Sequence, residues 1–240
     1  MPQSTIEGIK KAKENGVKVF ISTGRPQPII CNLDQILPYI DGYVTTNGAY
    51  CFIGDTVVNC EEINKAEVLH IVEHSRRLGV ACVVVGKKHI AVVNENEQFD
   101  GIFRKMLKIT TLDVLTPLEE VLEEGVIQLT PFFTEEQEKE ILAPLSGCTC
   151  GRWHPDFVDV TAKGIDKGLG LEMMVKHLGL KIEETMAFGD GGNDIPIIER
   201  AGVGVAMGNA GDNVKAAANY TTTHIDDNGV WNALKAYHVI

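Results

Sequence analysis

The 240-residue chain has no run of about 18 uninterrupted apolar residues, the length that reads as a membrane-crossing helix. Its opening segment, MPQSTIEGIKKAKENG, is polar and amphipathic, without the apolar centre of a signal peptide. Positive charge is also scarce: 22 Lys and Arg stand against 33 Asp and Glu, a formal charge of −11. That deficit argues against nucleic acid as a partner, because non-specific binding needs cations to neutralise phosphates. It leaves room for a phosphorylated small molecule or nucleotide met by local positive groups and a metal. No C-x-x-C pair occurs among Cys31, Cys51, Cys60, Cys82, Cys148 and Cys150, and Cys148-x-Cys150 alone is a weak metal signal. Free thiols in a reducing cytosol fit this scatter. Repeats, low-complexity tracts and long linkers are missing too. The chain is expected to be cytoplasmic, with no membrane partner, and long enough for one large domain or a core plus an insert.

The chain opens with Ser4-Thr-Ile-Glu7, a capping-box pattern for a helix ending near Gly16. Val17 to Ser22 reads as a buried strand, Gln27 to Leu37 as helix-like, and Gly42 to Thr46 as a short strand. Helix, strand, helix, strand is the rhythm of a parallel sheet. After Ala49 the rhythm changes. Tyr50 to Val58 reads as a hairpin around Gly54-Asp55, and Lys65 to Leu78 as a helix. The runs Val80 to Val85, His89 to Val93 and Val126 to Pro131 read as strands, with helices around Gln98 to Leu107 and Thr134 to Leu142. Alternation resumes after about residue 155. Strands are expected at Phe157 to Thr161, Thr185 to Phe188 and Val203 to Met207. Helices are expected at Lys167 to Leu178, Pro196 to Ala201, Asp212 to Ala218 and Asn228 to Tyr237. The pattern predicts an α/β core in two parts, 1–61 and 151–240, with an α+β insert over 62–150.

Three places near strand ends carry usable chemistry. The turn Gly189-Asp-Gly-Gly-Asn-Asp194 follows an apolar run and precedes a helix-like segment, the position where open α/β sheets put ligands. Two nearby carboxylates repel unless something positive lies between them, and oxygen-only donors favour a hard cation such as Mg²⁺. The alternative is a glycine turn whose Asp and Asn cap the next helix. Thr23 offers a hydroxyl and an amide to a phosphate oxygen, with Gly24 permitting close approach and Arg25 beside it; an ST-turn with a solvated arginine reads equally well. Lys167 stands at a helix start, where the dipole disfavours cations, which hints at phosphate neutralisation or at an ordinary surface lysine.

Taken together, these residues resemble the haloacid dehalogenase superfamily of phosphatases, and its Cof-type branch in particular. Ile21-Ser-Thr-Gly-Arg-Pro26 resembles the second motif of that family, Thr46-Asn-Gly-Ala49 the next strand end, Gly164-Ile-Asp-Lys-Gly168 the third motif and Gly189 to Asp194 the fourth. Ala201 to Ala210 and Asp227-Asn-Gly-Val230 match its C-terminal pattern. The resemblance covers roughly the first 60 and last 85 residues. It implies a Rossmann-like three-layer parallel-sheet core with an inserted α+β cap, and Mg²⁺-dependent hydrolysis of small phosphorylated metabolites such as sugar phosphates. Thr23 would bond the transferred phosphoryl group, and Lys167 would stabilise its charge. Gly24, Arg25, Asn47 and Asn193 would face the substrate, and Asp190 and Asp194 the metal. The short pattern Gly189 to Pro196 also resembles the phosphorylation domain of P-type ATPases, which the lack of membrane spans disfavours.

The family's first motif, Asp-x-Asp-Gly-Thr, occurs nowhere in the 240 residues. It would supply the aspartate that attacks phosphorus, the acid/base aspartate and part of the metal shell. Asp156-Phe-Val-Asp159 has the wrong spacing. Set against the family, the chain is expected to begin about 20 residues late, by the length of a strand and its loop, and to be inactive as it stands. Either the sequence is truncated, or it is a non-catalytic phosphate-ligand or protein-binding module on a degraded scaffold. Strand edges bared by such a gap would favour a homo-oligomer.

Overall fold

A computed structural model describes residues 1–107, 109 and 116–240. The chain forms two compact units, one of residues 1–24, 31–59 and 166–240, the other of residues 25–30 and 60–165.

The first unit begins with α1 (Gln3–Glu14), which follows Pro2 and has no side-chain cap. The expected capping box does not form, because Ser4 already lies inside the first turn; its buried hydroxyl has no partner. Strands β1 (Phe20–Ser22) and β2 (Gly42–Thr45) pair in parallel, Ser22 opposite Val44. The helix expected between them is absent. Single 3-10 turns at Gln27–Ile29 and Leu37–Tyr39 replace it. Pro28 and Pro38 each remove a backbone donor, and Asn32 adopts a left-handed φ of 63°. The chain then reverses through β3 (Tyr50–Ile53) and β4 (Thr56–Cys60), giving the sheet order β1-β2-β3-β4. The turn at Gly54 falls where the hairpin reading put it.

In the second unit, α2 (Lys65–Leu78) is capped by the Asn64 side chain and ended by Gly79 at φ 67°. Strands β5 (Cys82–Gly86) and β6 (Ile90–Val93) form a hairpin. The helix read at Gln98 to Leu107 is instead a single turn, α3 (Glu97–Phe99), continuing as a π-helix over Asp100–Met106. Next come α4 (Leu118–Glu124), β7 (Val126–Pro131), α5 (Glu135–Leu142), β8 (Cys148–His154) and β9 (Phe157–Ala162). Neither α4 nor β8 is anticipated by pattern. The five strands pair antiparallel in the order β6-β5-β7-β9-β8. Strand β9, read from sequence as part of the resumed core alternation, therefore belongs to this sheet. One sheet face buries Cys82, Val84, Leu129, Val158 and Val160 against Val68, Ile71 and Val72 of α2. The other face carries a buried polar group, in which Thr130 and Gln128 donate to Asp159 at 2.7 and 3.2 Å.

The rest of the first unit alternates as expected. It runs α6 (Lys167–Leu178), β10 (Met186–Gly189), α7 (Ile195–Arg200), β11 (Val203–Ala206), α8 (Asp212–Ala217), the unanticipated β12 (Tyr220–Thr221) and α9 (Gly229–Ala236). Strands β10, β11 and β12 form a parallel sheet in that order. The parallel strands thus come as two separate sheets, with β1 and β10 each at an edge among the described strands. Among the described residues no helix is long and apolar enough to cross a membrane.

All six cysteines are free. Burial pushes the Cys51 and Cys82 thiols up to about 12, and burial with the Glu67 carboxylate does the same to Cys148. Because these values lie above the ordinary 9.0, the unfolded chain sheds these protons first, so stability drains as pH rises from that value toward about 12. Thiolate is the reactive form. Near pH 8, Cys51, Cys82 and Cys148 should therefore resist a thiol reagent in the folded chain and react in denaturant. Rapid labelling of all six in the folded chain would contradict this.

Candidate active site

Strand β10 ends at Gly189, and the chain turns through residues 190–194 into α7. Asp194 closes this turn: its Oδ2 accepts the N–H groups of Asp190 and Gly191, each at 3.0 Å. A Cβ at Gly189 would lie 2.3 Å from the Asp194 Cβ, so only glycine permits the return. The remaining oxygen, Oδ1, accepts Lys167 Nζ at 2.6 Å. Lys167 and Asp194 are 5% and 8% exposed, so this ion pair is buried. Lys167 sits at the first position of α6, whose cap is Asp166, accepting the Leu169 N–H at 2.8 Å. Arg200 grips that same carboxylate with two nitrogens, at 2.6 and 3.0 Å.

A second loop joins from the end of β2. Thr46, Asn47 and Gly48 take positive φ angles of 49°, 53° and 98°. A Cβ on Gly48 would lie 2.3 Å from the Asp166 carbonyl oxygen, so glycine is required. Thr46 is branched and fully buried, and its hydroxyl has no partner. Left-handed non-glycine residues cost on the order of 1–3 kcal/mol each and persist only where surroundings fix them. Here the conformation delivers Asn47. Its N–H donates to the Thr23 carbonyl at 3.2 Å, and its Oδ1 accepts Asn193 Nδ2 at 3.0 Å. Gly24 packs on the same amide, since a Cβ there would meet Asn47 Oδ1 at 3.0 Å. The Thr23 N–H is in turn held by the Val44 carbonyl at 2.9 Å.

One connected set therefore holds Thr23, Gly24, Asn47, Asn193, Asp190, Asp194 and Lys167 within the first unit. Arg25 falls among the residues of the second unit. The two carboxylates differ sharply in state. Both oxygens of Asp194 are committed, one to a cation. Asp190 is exposed, and its Oδ2 accepts Asn209 Nδ2 at 2.9 Å. The Asp190 carboxylate is an oxygen donor of the type that would suit a hard divalent cation, and Asp190 is the side chain that could hold one. Among the described residues no three His, Cys, Asp or Glu side chains are grouped to complete a shell. Asn209 was missed as a site residue: it lies in the C-terminal pattern, but its partner is 19 positions away.

A family profile for haloacid dehalogenase-like hydrolases matches residues 1–234. The chain belongs to that family. It is 45% identical to the subclass IIB sugar phosphatase BT4131, with a TM-score of 0.92, covering 100% of this chain and 93% of that one. To the phosphatase BT1666 of Bacteroides thetaiotaomicron it is 33% identical, with a TM-score of 0.87, covering 100% and 89%. The Bacillus subtilis (strain 168) protein YcsE, a 5-amino-6-(5-phospho-D-ribitylamino)uracil phosphatase, is 32% identical, covering 95% of this chain and 85% of its own. Family and fold make the chain a phosphatase-type hydrolase with a Rossmann-like core and a cap domain.

The Asn47 clasp predicts a graded response. Asn47→Ala loses the bond to Asn193 and places Ala at a left-handed φ, so it should cost about 2–3 kcal/mol in urea unfolding. Asn47→Gly keeps the backbone and loses only the bond, about 1 kcal/mol. Equal costs for the two would contradict the strained placement.

Proposed function

We propose that this chain is the framework of a Mg²⁺-dependent phosphomonoesterase for small phosphorylated metabolites, such as sugar phosphates, acting in the cytoplasm. The observation that carries the reading is the single hydrogen-bonded set from Thr23 through Asn47 and Asn193 to the Asp190–Asp194 turn and Lys167. Phosphoryl transfer asks a protein mainly to position groups and to stabilise charge on the equatorial oxygens. The Thr23 hydroxyl is assigned to a phosphoryl oxygen, with Gly24 leaving the approach open. Lys167 is assigned to the same oxygens, its ammonium aimed by Asp194. Asn47 and Asn193 hold the two loops at a fixed separation, and Arg25 is assigned to the substrate. Mg²⁺, held by Asp190, would supply positive charge to the phosphate. Asp194, its oxygens committed, acts by fixing the turn that carries Asp190. The second unit, which holds residues 60–165, is assigned as the cap that selects the substrate. The sugar phosphatase and the ribitylaminouracil phosphatase among its relatives support a small polyhydroxylated phosphate ester.

None of the set is assigned the attack on phosphorus, because no Asp-x-Asp-Gly-Thr occurs in the 240 residues. On this reading the chain alone turns over little or no substrate. The second reading, a phosphate-binding module without catalysis, draws on the same missing nucleophile.

Phosphate release with Mg²⁺ separates the two. The 240-residue chain should be nearly silent, and a form extended N-terminally by a strand carrying Asp-x-Asp-Gly-Thr should hydrolyse sugar phosphates. Robust turnover by the shorter chain would contradict the nucleophile assignment. Silence of both forms, with stabilisation by phosphorylated ligands, would favour the binding module.

A further inference from the structure

We propose that Asn209 is a positioning residue that aims the Asp190 carboxylate at a divalent cation; the proposal rests on the metal reading of Asp190 given above. Beyond the last paired residues of the sheet, the Met207 N–H still donates to the Gly189 carbonyl at 2.9 Å, so the ends of β10 and β11 remain locked together. The Gly208 N–H then donates to the Thr223 carbonyl at 3.0 Å. A Cβ on Gly208 would lie 2.5 Å from the His224 nitrogen, so backbone packs directly on backbone. Asn209 is thereby pinned between the loop around residue 225 and the Asp190 turn.

Its amide has one admissible orientation. The Ile225 N–H donates to Oδ1 at 3.3 Å, and a donor must meet the oxygen of the amide. Nδ2 then faces Asp190 Oδ2, at 2.9 Å. The consequence is electrostatic as well as geometric. Lysine neutralises Asp194, whereas a neutral amide holds Asp190 without cancelling its charge. One oxygen is fixed and the other is left to a cation, which is how partners behind a ligand orient it and raise affinity.

Mn²⁺ binding to the 240-residue chain, read from the loss of the free-ion EPR signal, tests this without any turnover. Asn209→Ala should weaken Mn²⁺ binding about tenfold, with folding checked by circular dichroism. Asn232→Ala is the control for loop loosening. Asn232 bonds Thr223 Oγ1 and the Asp227 carbonyl, at 2.9 and 3.1 Å, and has no bond to Asp190. It should stay within about twofold of the unaltered chain. Unchanged binding in Asn209→Ala, or an equal loss in Asn232→Ala, would overturn the positioning role. An unaltered chain that binds no Mn²⁺ would overturn the metal reading of Asp190, and this proposal with it.

Discussion

Burying a lysine at the first position of a helix is unfavourable twice over. The ammonium loses its water, and it faces the positive end of the helix dipole. Lys167 is 5% exposed at the head of α6. What offsets both costs is the Asp194 carboxylate at 2.6 Å. The same carboxylate accepts the N–H groups of Asp190 and Gly191. One side chain therefore ties the α6 terminus to the end of β10 and sets the shape of the turn that presents Asp190.

The rest of the site follows from that tie. With the turn fixed, Asn193 is held where Asn47 accepts from it, and Asn47 in turn holds the Thr23 loop. The left-handed Thr46-Asn47 backbone is sustained by this contact and by the close approach of Gly48 to Asp166. Asp166 itself is clamped by Arg200. The groups suited to a phosphate and a cation thus stand on loops at the carboxyl ends of parallel strands, where such sheets bind ligands. Strain and a buried ion pair are concentrated there, as at preorganised sites generally.

Much of this was legible in the sequence because its causes are local. Gly79 and Gly179 end helices in left-handed conformations, and the helices expected over Lys65 to Leu78 and Lys167 to Leu178 form over those residues. The misplaced Lys167 charge pointed to a special role, and the structure supplies its partner 27 residues away. Where causes are non-local, pattern reading failed. The placement of β9 between β7 and β8 is decided by strand pairing across the second unit. The helix expected over Gln27 to Leu37 ignored Pro28, and the box at Ser4 ignored Pro2 as the cap. Asn209 was invisible as a site residue because amide and carboxylate meet only once the ends of β10 and β11 are side by side.

The dependence of the site on the Lys167–Asp194 pair is tested most directly by a double-mutant cycle in urea unfolding, with Lys167→Ala, Asp194→Ala and both together. Each single change leaves an uncompensated buried partner and should cost about 3–5 kcal/mol. The double change should cost clearly less than the sum, with a coupling of about 2 kcal/mol or more. Additive costs, within about 0.5 kcal/mol, would contradict the pair as the organiser of the site.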